Sequence, residues 1–117
     1  MLPCSLGGVV FYAHFTQVNF VYLSGVLCEL FVPRYTPAGI SVVEGTLRHT
    51  SSKSECESLL AVSVDVRFVV VGGDFDKKVT PSCIGKGVIL EGFWGAHGIY
   101  RSPVLHVNSF WFFCDKE

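Results

Sequence analysis

The chain lacks an excess of charge of either sign. Only 16% of its 117 residues are charged, and the formal net charge is −1. That excludes acidic or basic tails and disordered low-complexity chains. It also excludes a strongly basic nucleic-acid binder, so any such binding has to come from local patches. No apolar run reaches the roughly 18 residues that a spanning helix requires. The five cysteines include no Cys-x-x-Cys pair, and the four histidines do not fall at zinc-finger spacing. Cys4, Cys28, Cys56, Cys83 and Cys114 are widely spaced and odd in number. This predicts free thiols in a reducing cytoplasm, the alternative being a secreted domain with two bridges and one thiol left over. There is a single Met, no internal repeat, no Gly-x-Ser-x-Gly elbow and no Gly-x-x-x-x-Gly-Lys loop. A triad assembled from His49, Asp65 and one of the many serines is a chance set, so no enzyme is expected.

What is present is apolar and suited to strands. Half of the residues are hydrophobic, with 12 Gly and 10 Phe, enough for one core and too few residues for two. Residues 1–18 are apolar around Val9, Val10, Phe11 and Tyr12 but carry no Lys or Arg, so they lack the positive start of a signal peptide. They read as an N-terminal extension or an early start codon, ahead of a domain over residues 19–113 and a short end at 114–117. Residues 20–27 alternate, with Val21, Leu23, Gly25 and Leu27 on one face. Pro33 to Gly39 is turn chemistry. Residues 40–49 read as a second strand, with a bulge at Gly45, and residues 50–57 as a polar hairpin loop. In the third strand Leu60, Val62, Val64, Val66, Phe68 and Val70 share one face, while Ala61, Ser63, Asp65 and Arg67 share the other. Residues 72–87 form a connection with room for one short helix, and Asp74 and Asp76 lie there as a solvated pair. Residues 88–94 and 104–113 are the fourth and fifth strands, joined by a loop over 95–103. Phe68 and Trp94 fall in phase with the core.

Five strands with that connection between the third and fourth predict an all-β, five-stranded OB-fold barrel. An SH3-like barrel is the competing arrangement, but it does not need the 72–87 connection. Single-strand binding requires cations along a backbone track and aromatic faces for bases. Arg34 and Tyr35 in the first turn, Arg48, His49 and Lys53 at the end of the second strand, and Tyr100 and Arg101 between the last two strands are the candidates. Phe93 and Tyr22 lie out of the core pattern, so each either stacks a base or is covered by a second subunit. Among Trp111, Phe112 and Phe113, at least one side chain faces outward.

The stretch Asn19-Phe20-Val21-Tyr22-Leu23-Ser24-Gly25, followed by Arg34-Tyr35-Thr36-Pro37-Ala38-Gly39, resembles bacterial single-stranded-DNA-binding proteins. Gly85, Val88, Leu90, Glu91 and Gly92 are similar to the fourth strand of those proteins. Cys28 after Leu23-Ser24-Gly25, Ile40 after Gly39, Phe93 after Gly92, and Val104-Leu105-His106 resemble more narrowly the primosomal replication protein N (PriB) family. The resemblance spans residues 19–113. It implies a cytoplasmic homodimer that binds single-stranded DNA without sequence preference and bridges a PriA-type helicase and a DnaT-type loading factor. It implies no catalysis, no cofactor, no metal and no membrane. Members of that family often carry several Lys or Arg between the last two strands, where this chain has only Arg101 in residues 95–102. With Asp65 and Glu91 nearby, that local chemistry also admits an OB-fold adaptor that binds only proteins.

Overall fold

The computed structural model describes residues 17–113. Five long strands close a barrel: β1 (Val21–Leu30), β3 (Ser41–Glu55), β4 (Ser58–Val71), β5 (Gly87–His97) and β6 (Tyr100–Phe112). A two-residue strand, β2 (Arg34–Tyr35), lies on the edge of β3. The order around the sheet is β1-β5-β6-β4-β3-β2, and a β1–β3 pairing completes the circuit. All pairings are antiparallel except β4 with β6, which meet only at Phe68↔Leu105 and Val69↔His106. This is the expected all-β OB-fold barrel. The 72–87 connection holds one helical turn, α1 (Phe75–Lys78), and a 3-10 turn over Pro81–Cys83.

The core follows the two-residue period. Leu27, Val43, Leu47, Val66, Phe68, Val70, Val88, Leu90, Leu105 and Val107 are buried, and Phe75 of α1 plugs the barrel end against Phe68 and Phe110. Each such Leu or Phe contributes about 1.5–3 kcal/mol by leaving water. Closure depends on two small residues. A Cβ on Gly25 would sit 2.5 Å from the Arg48 carbonyl oxygen, and one on Gly45 would sit 2.5 Å from that of Glu29. Gly45 is therefore a close-approach site rather than a bulge; the register shift lies in β1, between Leu27 and Glu29, facing Leu47 and Thr46.

Two expectations about loops are corrected. Residues 50–57 are not a loop: β3 and β4 stay paired out to Glu55↔Ser58, as a ribbon turning at Cys56 and Glu57. The ribbon runs past the barrel, so its polar β3 arm pairs with β4 without any core to bury. For the same reason Leu60 and Val64, although in phase with Phe68, are about half exposed. Residues 95–103 are likewise mostly strand, with β5 and β6 joined through Gly98 and Ile99. Cys28, Cys56 and Cys83 carry free thiols. Among the described residues no helix is long and apolar enough to cross a membrane. The extension read at residues 1–18 falls almost wholly outside the described residues, as do Cys4 and Cys114.

Candidate nucleic-acid interface

Register places one row of side chains across the outer wall of the barrel. Glu44 pairs with Val69, Val69 with His106, and His106 with Phe93, so β3, β4, β6 and β5 each contribute one member. The Phe93 and His106 rings are stacked, 5.1 Å apart and within 9° of parallel. His97, from the β5–β6 hairpin, reaches back over the row. Its Nε2 lies 3.0 Å from Glu44 Oε2, and its ring stands edge-on to His106 at 6.1 Å. Val69 is buried in this row although it points away from the core. Arg34, on β2, donates to the same Glu44 Oε2.

The next rungs hold Thr46↔Arg67 and Arg48↔Asp65. Arg48 donates through Nε to Asp65 Oδ1 at 2.9 Å and through Nη2 to Oδ2 at 3.3 Å. Both groups are solvent-exposed. The bidentate bond holds the Asp65 carboxyl below the usual carboxylate range and raises the Arg48 guanidinium. Asp65 stands here as a competitor with phosphate for Arg48.

Beyond their two-residue pairing β4 and β6 splay apart. The gap is a cleft of about 470 Å³ lined by Val64, Asp65, Val66, Arg67, Trp94, Ser102 and Pro103. Trp94 is 39% exposed here, which corrects its expected place in the core. Its phase is that of the core, since it pairs with buried Leu105. At Trp94, however, β5 has passed the barrel rim. Asn19 fixes it from outside the sheet: Asn19 Nδ2 donates to the Trp94 carbonyl at 2.8 Å, and the Trp94 N–H donates to Asn19 Oδ1 at 2.9 Å. An Asn ahead of the first strand thus does the work of a strand residue.

The sequence-predicted site residues divide between two sides. Arg34, Arg48 and Phe93 lie on the outer wall. Tyr35 turns away from it, its hydroxyl donating to Asp76 Oδ2 at 2.9 Å, a bond to a carboxylate that raises the phenol pKa. Asp76 is therefore bonded rather than merely solvated. His49 and Lys53 have the opposite phase from Arg48. His49 Nδ1 meets the Ser24 carbonyl at 2.7 Å and Nε2 meets Ser51 Oγ at 2.9 Å. Both line a second cleft with Tyr22, Ser24, Ile89 and Phe113. This also separates His49 from Asp65. The side chains of Tyr100 and Arg101 lie outside the described residues. Sequence reasoning missed Trp94, His97, His106 and Arg67. Only Trp94 had a local signal, its place just before Gly95 at the end of a strand.

Residues 19–109 match the model of a family described as another single-strand binding protein family. The chain belongs to this single-strand binding protein family. It is similar to the replication restart protein PriB of Nitrosomonas europaea, at 29% identity over 92 residues, 78% of this chain and 84% of that protein. Among solved structures, PriB from Ralstonia solanacearum superposes with a TM-score of 0.70 at 21% identity, covering 82% of this chain and 98% of that one. A Plasmodium falciparum SSB solved in complex with ssDNA gives 0.67 at 16% identity, covering 86% and 99%. These two structural likenesses establish the fold. The matched family and the PriB relatives agree with the resemblance read from residues 19–113.

Proposed function

We propose that this protein is a non-catalytic single-stranded-DNA-binding protein of replication restart, working in the cytoplasm as a homodimer. It bridges DNA, a PriA-type helicase and, where one exists, a DnaT-type loading factor. The observation that carries this reading is the outer wall with the cleft beside it: the Phe93–His106 stack lies on the wall with Arg34, Arg48 and Arg67, and the exposed Trp94 lines the cleft. Stacking faces bind bases whatever their sequence, while the guanidinium groups follow the phosphates. The β3–β4 face and the hairpin loops are where OB-folds hold oligonucleotides. No step of this activity calls for a cofactor. Of the sequence-predicted set, Arg34, Arg48 and Phe93 are assigned to the DNA track, and His49 and Lys53 to the opposite side.

The homodimer is proposed from an open edge. Val21–Gly25 of β1 pairs with β5 on one side, while β3 takes the other side only from Val26 onward. Beside this edge the outward rings of Tyr22 and Trp111 stand edge-to-face at 6.2 Å. A two-fold copy pairing along the edge covers both.

A salt series on labelled oligo-dT tests the function. Three guanidinium contacts predict a log–log slope of about −2 on single strands, and duplex DNA of equal length is expected to compete poorly. The second reading, an adaptor that binds only proteins, is favoured by the ties of Arg34 to Glu44 and Arg48 to Asp65. Absence of salt-dependent binding to the oligonucleotide would select it, and equal binding to duplex and single strand would overturn the single-strand reading.

A further inference from the structure

Among the described residues, the lysines stand without acidic partners and off the outer wall. Among the described residues, Arg34 and Arg48 are each in an ion pair, whereas Lys53, Lys77, Lys78 and Lys86 have no carboxylate in contact. Lys78 and Lys86 come from the two ends of the α1–β5 connection and line a cleft of about 360 Å³ with Cys83, Gly87, Phe112 and Phe113. Lys53 lines the neighbouring cleft of about 400 Å³, and Phe113 is a wall of both. The Phe113 ring is held in place. Its backbone N–H donates to the Gly87 carbonyl at 3.0 Å, and the ring covers Gly87 so closely that a Cβ there would lie 2.1 Å from Phe113 Cδ2. About half of Phe113 remains open to solvent.

We infer that Lys78 and Lys86, beside Phe113, form a second single-strand track on the side of the barrel away from the Arg34–Arg48 wall. The inference rests on the single-strand reading above. A fixed aromatic face with two unpaired ammonium groups beside it suits a base and its phosphates. These lysines need break no ion pair to take a phosphate, unlike Arg34 and Arg48 of the outer wall. A strand longer than one wall can therefore continue around the molecule and use both tracks.

The test compares two labelled oligo-dT strands, one of about 8 nucleotides that a single OB-fold site accommodates and one of roughly 30 that exceeds it. Lys78→Ala/Lys86→Ala should flatten the salt slope on the long strand by about 1.4, the share of two contacts. It should leave the short strand unchanged. Phe113→Leu, which keeps an apolar cover on Gly87, should weaken long-strand binding about tenfold with its slope intact. Thermal melts that match the wild type show that both variants fold. Unchanged long-strand binding in the lysine variant, while Arg48→Ala still weakens both strands, would overturn the second track alone. Failure of the wild type to bind either strand would overturn the single-strand reading and the track with it. If polyglutamate binds the wild type but not the lysine variant, and the long strand binds both equally, the cleft serves an acidic protein and the nucleic-acid track is wrong.

Discussion

Arg48 and Asp65 grip each other in bidentate fashion, so a phosphate that takes Arg48 has to displace a carboxylate. Asp65→Asn removes that competitor and keeps the side-chain shape. It should tighten oligo-dT binding and steepen the salt slope by up to one contact, about 0.7. Weaker binding in this variant would mean that Asp65 positions Arg48 rather than competes for it. The pair also sets a pH dependence. The folded-state pKa of Asp65 is lowered, so its contribution to stability is present above its ordinary value near 3.8 and is lost as pH falls through the lower folded value. Acid melts of Asp65→Asn and wild type should accordingly converge at the acid end. Trp94 acts by its face rather than its charge. Trp94→Ala should weaken binding by about 1–3 kcal/mol and leave the slope unaltered. Asn19→Ala, which releases the Trp94 backbone, should give part of that loss, and the Trp94 emission spectrum should shift with it.

At the scale of the element, the β3–β4 ribbon turns on two residues unsuited to the turn they make. Cys56 and Glu57 both have positive φ, 52° and 65°. Such left-handed pairs are the type I′ turn of two-residue hairpins, where Asn-Gly is favoured. Each ordinary residue held there costs about 1–2 kcal/mol. Replacing Cys56-Glu57 with Asn-Gly should slow hydrogen exchange along the ribbon amides, from Ser51↔Val62 outward, without moving the barrel amides. The register itself is set further back, by Leu47↔Val66 and Gly45↔Phe68 in the core, since a one-residue slip would turn Phe68 to solvent. The β5–β6 hairpin is organised differently. Its tip is drawn over the outer wall by the His97–Glu44 contact, which makes Glu44 the common acceptor for β2 and for the hairpin.

For the whole molecule, the open β1 edge and the Tyr22–Trp111 pair predict association. Light scattering over a dilution series should give a mass near twice 12.9 kDa at micromolar concentration. A mass near 12.9 kDa throughout would end the dimer proposal. Charge is organised at this scale too. A net charge near zero conceals a division among the described residues, with Arg34 and Arg48 neutralised by Glu44 and Asp65 on one side and unpaired lysines on the other.

Alternation in the sequence was enough to read the core strands, because a half-buried strand shows its period of two directly: Leu27, Val66, Phe68, Val70, Val88 and Leu90 are buried as that period requires. The turn at Thr36–Gly39 and the short-helix connection were legible for a similar reason, since turn chemistry and spacing are local. Where strands stop mattering to the core was not legible. Period alone cannot tell Leu90 inside the barrel from Trp94 past its rim, or Val66 from Leu60 on the ribbon. The pairing of arginines was equally hidden. Arg34 meets Glu44 across a strand pair, Arg48 meets Asp65 across another, and Glu44 meets His97 at a separation of 53 residues. Composition counted these charges, but only the barrel's closure and register decided which of them face each other and which are left for a ligand, because that depends on contacts between strands far apart in the chain.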